Sequence, residues 1–255
     1  MLLTVQGIPG YCYTGGLPFD PSRPTVVFIH GAQNDHSVWA LQARYFAHLG
    51  YGVLALDLPG HQRSKGAART SVTEMADWLL ALLDAAGVQE AALIGHSMGS
   101  LIALEAAFKA PQRVTHLAMV ASIYPMKVAG SLLETARDHE LAAIDMVTAW
   151  SHSPLAEHSA RNTTRRLMQR MPGRLHTDLA ACNSYSSGEL AAASIRCPTL
   201  LLLGARDMMT PPKSTGLLAA AIPHAQTLTL DSGHALMSEQ PQGVLEALLG
   251  FIGSR

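Results

Sequence analysis

The sequence predicts an α/β protein, a mostly parallel twisted sheet with helices on both faces, and three observations carry that expectation. Short aliphatic or β-branched runs bounded by Gly and Pro alternate with longer stretches of helical spacing. Those runs are apolar almost throughout, as strands covered on both faces must be. The 255 residues are 48% hydrophobic and only 15% charged, against a usual charged share of roughly 25%. That balance suits a large core and is the reverse of a disordered chain.

In chain order, residues 25–29 (TVVFI) form the first strand, opened by Pro24 and closed by His30-Gly31. Residues 37–49 have helical spacing that puts Val38, Leu41, Tyr45 and Phe46 on one face. A strand over 52–56 ends at Asp57, and a helix over 70–86 follows, with Ser71 and Glu74 at capping-box spacing. A strand over 91–95 turns directly into a helix over 98–110, which Pro111 stops. Strands over 116–121, 199–203 and 226–230 and a terminal helix over 242–252 complete the alternation. Between residues 124 and 195 the rhythm breaks into helical spacing without a strand. Sheet connections are short, so this segment is expected to be a helical cap. The expected division is a core of residues 1–123 and 196–255 and an inserted cap of 124–195.

Charge and cysteine usage narrow the function classes. Eighteen basic and 19 acidic residues leave a net charge of -1, so no nucleic-acid partner is expected, since such affinity comes from phosphate neutralisation. No apolar run reaches the roughly 18 residues that span a bilayer, and MLLTVQGIPGYCY lacks the basic start of a signal peptide. Cys12, Cys182 and Cys197 are widely spaced and suggest neither a disulfide framework nor a zinc cluster. A cytoplasmic protein, monomer or homodimer, acting on a small molecule away from membranes is expected.

One pentapeptide carries chemistry. Gly95-His96-Ser97-Met98-Gly99 matches G-x-S-x-G at a strand–helix junction, where a strained turn lifts a serine hydroxyl clear of the sheet. A serine needs a base to take its proton and an acid to orient that base. Asp207 lies just past the strand 199–203, and His234 lies on the loop between the last strand and the final helix. Ser97, Asp207 and His234 thus follow the chain order Ser…Asp…His. Asp231 is a rival acid, but it lies only three residues before His234, and reaching back would distort that loop.

Together with His30-Gly31, the run DLPGHQRS over 57–64, GARDMMTPP and SGHALMSEQP, these motifs run through nearly the whole chain, which closely resembles the α/β-hydrolase fold family. The resemblance implies that the insertion after the sixth strand is a lid over the active site. It also implies an oxyanion hole from the backbone N–H groups of Met98 and Ala32, with Gln33 as the fallback if the loop is shifted by one residue. Gln62 stands where the family has a glycine, which implies a backbone there that avoids positive φ. Ser100 likewise replaces a glycine common after the elbow.

The remaining candidates are weighed by position. His30 and His96 are expected to be structural hydrogen-bonders. Gln33, His36, Met126, Met208 and Met209 are candidate pocket residues, with the methionines, in the expected cap and near the triad loops, offering an adaptable apolar site. Arg161, Arg165, Arg166, Arg170 and Arg174 are expected on a solvated cap face, although one turned inward could meet a substrate carboxylate. No H-e-x-x-H-like spacing is present, so neither metal nor cofactor is expected. The expected function is a serine hydrolase cleaving a small, largely apolar carboxylic ester through an acyl-enzyme. A carbon–carbon bond hydrolase acting on a vinylogous diketone is the alternative, although relatives of that type often carry Asn where this chain has His96. A small-molecule receptor without turnover is the alternative of another class.

Overall fold

Strand alternation decides the two faces of the sheet. The computed structural model describes residues 1–253. In β3 (Thr25–Ile29), Val27 and Ile29 enter one apolar cluster while Val26 and Phe28 enter another, the period-two pattern of a strand buried on both sides. β4 (Gly52–Leu56), β5 (Ala91–His96) and β7 (Thr199–Gly204) are likewise buried at every position. β6 (Val114–Val120) and β8 (Gln226–Leu230) extend the parallel region, so that β4-β3-β5-β6-β7-β8 are parallel neighbours.

Helices α2 (Val72–Ala85) and α3 (Met98–Lys109) cover one face; α1 (Ala40–His48) and α11 (Pro241–Gly253) cover the other. The start of α2 follows its capping signal: Ser71 Oγ accepts from Glu74 N, and the Glu74 carboxylate accepts from Thr70 N.

Two expectations about local structure are corrected. A two-strand hairpin, β1 (Leu2–Val5) and β2 (Ile8–Tyr13), precedes the first anticipated strand and joins the sheet antiparallel to β4. Its turn puts Gln6 and Gly7 at φ +50° and +79°, the left-handed pair that suits a two-residue hairpin. Pro9 and Gly10 within β2 hide the strand pattern; Gly10 is needed because a Cβ there would come within 2.9 Å of the Trp78 ring. The buried face of α1 is also not the anticipated one. Leu41 and Tyr45 are exposed, and Trp39, Ala43, Phe46 and Ala47 are buried. A 3-10 turn over His36–Trp39 shifts the phase before α1 begins, and the rings of Trp39 and Phe46 pack on Phe28 at 5.2 and 5.7 Å.

Between β6 and β7 the chain forms α4 (Gly130–Asp138), α5 (Glu140–Ser151), α6 (His158–Gln169), α7 (Leu175–Ser184) and α8 (Gly188–Ser194). These extra helices form an inserted cap. Leu132, Ile144, Met168, Leu175 and Leu179 give it an apolar cluster of its own, while Ala191 and Ala192 of α8 pack into the main core. Short helices α9 (Gly216–Ala221) and α10 (Leu236–Glu239) flank β8. Among the described residues no helix is long and apolar enough to cross a membrane.

Candidate active site

The turn from β5 to α3 is as strained as its sequence requires. Ser97 has φ +52°, a conformation that non-glycine residues adopt only where surrounding structure enforces it. A Cβ on Gly95 would lie 2.1 Å from the Gly99 carbonyl oxygen, and one on Gly99 would lie 2.4 Å from that of Ile29. Neither position tolerates any side chain. Ser97 N donates to Val120 O at 2.9 Å, tying the turn to β6.

The partners arrive from the ends of β7 and β8. His234 Nδ1 donates to Asp207 Oδ2 at 2.8 Å. The other Asp207 oxygen accepts from Met209 N and Thr210 N at 2.7 and 2.8 Å, and Thr210 Oγ1 donates to Oδ2 at 2.6 Å. Burial alone would raise the Asp207 carboxyl, but His234 and these donors outweigh it and hold the group well below the ordinary carboxylate range. The rival Asp231 is on the surface, paired with Arg206 at 2.6 Å. Gly204 makes the juxtaposition possible, since a Cβ there would lie 2.2 Å from Gly233 O on the histidine loop.

His96 and His30 are neutral hydrogen-bonding struts. His96 Nε2 donates to the His234 carbonyl at 2.9 Å; burial and the neighbouring His234 ring push its pKa down to about 3. His30 Nδ1 donates to Gly31 O at 2.8 Å and its Nε2 accepts from Leu58 N at 3.1 Å; burial, with His61 beside it, pushes its pKa down to about 4.

Ser97 and His234 line one cavity of about 530 Å³ between the sheet and the cap. Its buried wall is mostly apolar, with Val147, Leu167, Met168, Leu175 and Leu179 from α5, α6 and α7, while Gln42, His96 and Ser151 add buried polar groups. The exposed rim carries Ser37, Glu157, Ser159, Thr163 and Ser238. Ala32 and Met209 also line it. The structure places the other anticipated pocket residues elsewhere. Gln33 is fully buried with its side chain in the cap, Met126 lies in the main core, and Met208 is 67% exposed. His36 bonds Asp57 at 2.8 Å beside the Tyr11 ring. None of the five arginines singled out lines the cavity; Arg161 binds Ser153 O, Arg165 pairs with Asp145, and Arg174 binds Gly60 O.

The loop beside Ser97 separates the two anticipated oxyanion donors from the fallback. Gln33 N donates to Asp178 Oδ2 at 2.8 Å, so this N–H is spent on the cap. Met98 opens α3, where helix N–H groups have no intrahelical partner. The expectation at Gln62 is corrected: its φ is +37°. Long-range bonds from Gln62 N to Met171 Sδ and from Gln62 Nε2 to Asp35 Oδ2 hold that conformation without a glycine.

Asp35, His36 and Asp57 are the one group among the described residues with metal-ligand proximity. Their atoms are already engaged. Asp57 accepts from His36 N, His36 Nδ1 and Arg63 N, and Asp35 accepts from Ser37 N and Gln62 Nε2. A hydrogen-bonded knot that shapes the loops accounts for the cluster.

Three groups escaped sequence reasoning. Thr210 buttresses Asp207, and the spacing Asp207-x-x-Thr210 was its signal. Glu239 accepts from Gly233 N and Ser153 N, tying the histidine loop to the cap. Asp178 and His61 form a buried pair at 2.9 Å; Asp178 was visible as an acid on the apolar stripe of α7.

Both His61 nitrogens face acceptors, Pro59 O and Asp178 Oδ2. Burial lowers the His61 pKa, but the Asp178 carboxylate and the Pro59 carbonyl outweigh it and the group sits above its ordinary value. Its contribution to stability is therefore complete below the unfolded value of about 6.5 and fades as pH rises through the folded one. His30, His96, His116 and His152 are shifted down, so above that pH they are neutral in both states. Urea midpoints are expected to fall as pH rises above about 6.5, and less steeply in His61→Gln; equal slopes would refute a charged His61.

The α/β-hydrolase fold model matches residues 24–241. The chain belongs to the α/β-hydrolase fold family and is a hydrolase. A pimeloyl-[acyl-carrier protein] methyl ester esterase of Xanthomonas campestris is 30% identical, over 91% of this chain and 96% of that protein. An (E)-2-((N-methylformamido)methylene)succinate hydrolase of Acinetobacter baylyi is 25% identical over 89% of each. Likeness to the acetyltransferase component of an acetoin cleaving system of Cupriavidus necator, 41% identical, spans 39% of this chain but only 26% of that protein. Among solved structures, an enol-lactonase from Burkholderia xenovorans superposes with a TM-score of 0.86 at 20% identity, covering 100% of both chains. The N-acyl homoserine lactone degrading enzyme Est816 does so at 0.84 and 24%, covering 98% of this chain and 100% of that one. At such identities the likeness is one of fold.

Proposed function

We propose that the protein is a serine hydrolase that cleaves a small, largely apolar carboxylic ester through an acyl-enzyme. One observation carries the proposal: Ser97, on its strained turn, and His234, bonded to Asp207, line the same cavity. Ser97 Oγ attacks the carbonyl while His234 Nε2 takes its proton, and Asp207 fixes the tautomer by accepting from Nδ1. The N–H groups of Ala32 and Met98 receive the oxyanion. His234 then protonates the leaving alkoxide, and water attacks the acyl-enzyme through the same base.

The cavity wall argues for the acyl class. Among the described residues no lysine or arginine lines it, and Glu157 at the rim is its one carboxylate. An acyl group ending in a carboxylate would find no lysine or arginine to pair with there. In this reading residues 1–123 and 196–255 carry the triad and residues 124–195 supply the acyl wall. A monomer or homodimer working in the cytoplasm without metal or cofactor, and without a nucleic-acid partner, completes the proposal.

The test is a panel of p-nitrophenyl esters of rising acyl length beside a vinylogous diketone. Ester turnover with an initial burst, and a kcat/KM that rises with chain length and then drops, is expected. Cleavage of the diketone with no ester turnover would make the protein a carbon–carbon bond hydrolase instead. A single slow turnover of every compound would favour a receptor.

A further inference from the structure

We propose that Asp178 of the cap, paired with His61, is a positioning residue that sets the oxyanion loop by holding the Gln33 N–H away from the cavity and so presenting the neighbouring Ala32 N–H to the substrate. The inference rests on the acyl-transfer function proposed above.

Two consecutive peptide units decide where the Ala32 N–H points. The first joins Gly31 to Ala32, and in a trans peptide its C=O and N–H point in opposite directions. The Gly31 carbonyl accepts from His30 Nδ1 at 2.8 Å and from Asn34 N at 3.2 Å. A Cβ on Gly31 would lie 2.9 Å from His96 Nδ1 and 3.3 Å from Ser97 Cβ, so this unit lies directly against the elbow. The second unit joins Ala32 to Gln33. Its carbonyl accepts from Asn34 Nδ2 at 3.1 Å, and its N–H donates to Asp178 Oδ2 at 2.8 Å.

Gln33 stands at φ +49°, a left-handed conformation that a residue with a side chain adopts only where its surroundings hold it. The bonds that hold it come from the cap. Asp178 takes the N–H, while the side-chain amide donates to Met171 O at 2.9 Å and to Glu140 Oε1 at 3.1 Å. Glu140 is itself fixed, accepting from Gly173 N, Arg174 N and Leu175 N at the start of α7. Released from Asp178, Gln33 is free to leave the left-handed region and rotate the units on which the Ala32 N–H depends.

Stability alone does not account for the pair. Asp178 is fully buried and its Oδ1 has no partner, and burying such a group costs free energy. An unpaired carboxylate one residue from the oxyanion would also repel the charge that develops there. His61, with both nitrogens facing oxygen acceptors, supplies the compensating positive charge. The pair therefore fixes the backbone without opposing the transition state.

The experiment compares Asp178→Asn and His61→Gln with the wild type in the full chain. Active sites are titrated with a fluorophosphonate, and a trifluoromethyl ketone serves as transition-state analogue. The expected result is a fall in kcat per titrated site of about 10- to 100-fold, approaching the loss of one oxyanion donor, with KM nearly unchanged. Affinity for the ketone should fall by the same factor as kcat/KM. A merely structural pair would lower the melting temperature and the number of titratable sites while leaving kcat per site and ketone affinity intact, and that result overturns the inference. Should Asp178→Asn fail to fold, His61→Gln, which keeps a donor to Asp178, decides between the two outcomes. A wild type that labels but hydrolyses no ester overturns the acyl-transfer reading itself, and the inference with it. Ester turnover with both variants at wild-type kcat overturns only the role of Asp178.

Discussion

Replacing Ser97 with alanine is expected to lower kcat/KM for ester hydrolysis by about 10⁵- to 10⁶-fold, the scale found when a serine nucleophile is removed from such a unit. The change removes one oxygen atom and leaves φ +52° in place, so folding and the cavity should be retained. KM-like binding of a non-hydrolysable ester analogue, measured by calorimetry, checks this. Loss of binding together with activity would indicate a damaged turn rather than a missing nucleophile.

Replacing Asp207 with asparagine is expected to lower kcat by about 10⁴-fold, through the tautomer of the base. Asp207 Oδ2 accepts from His234 Nδ1 and Thr210 Oγ1, and Oδ1 accepts from two backbone N–H groups. Every neighbour is a donor. An asparagine amide must therefore place its NH2 against donors or turn it toward His234, where Nδ1 becomes the acceptor and Nε2 carries the proton. A base in that state cannot take the proton of Ser97. The same crowding of donors predicts a lower melting temperature, so activity is to be normalised to titrated sites. Asp231→Asn should leave kcat unchanged, because its carboxylate faces Arg206 on the surface.

What could be read from sequence was whatever the chemistry or the backbone forces into a local pattern. Gly95 and Gly99 are dictated by carbonyl oxygens closer than any Cβ can approach, so the elbow announces itself in five letters. The strands on which it sits are buried at every position and largely apolar because helices cover both faces. The parallel core and the extra cap helices followed from that pattern. β2 did not, since Pro9 and Gly10 erase its alternation and the reason for Gly10, the Trp78 ring, lies far along the chain.

The cavity was the least legible part. Its apolar wall is made by α5, α6 and α7, and helical spacing says which residues share a stripe but not which stripe faces Ser97. Met209 lines the cavity, whereas Met126 and Met208, equally plausible as thioethers near the site, do not. Gln33 and Gln62 show the same limit at the backbone. Each adopts positive φ without being glycine, held by partners over 100 residues away in Asp178 and Met171. Long-range hydrogen bonds leave no trace in local sequence.

The central claim is that Ser97 is the nucleophile, activated by His234. Intact-mass analysis after brief exposure to a fluorophosphonate tests it most directly. One adduct per chain on the wild type, mapped to Ser97 and absent from Ser97→Ala, is the predicted result. Equal labelling of both proteins, or an adduct mapped to any other residue, would contradict it.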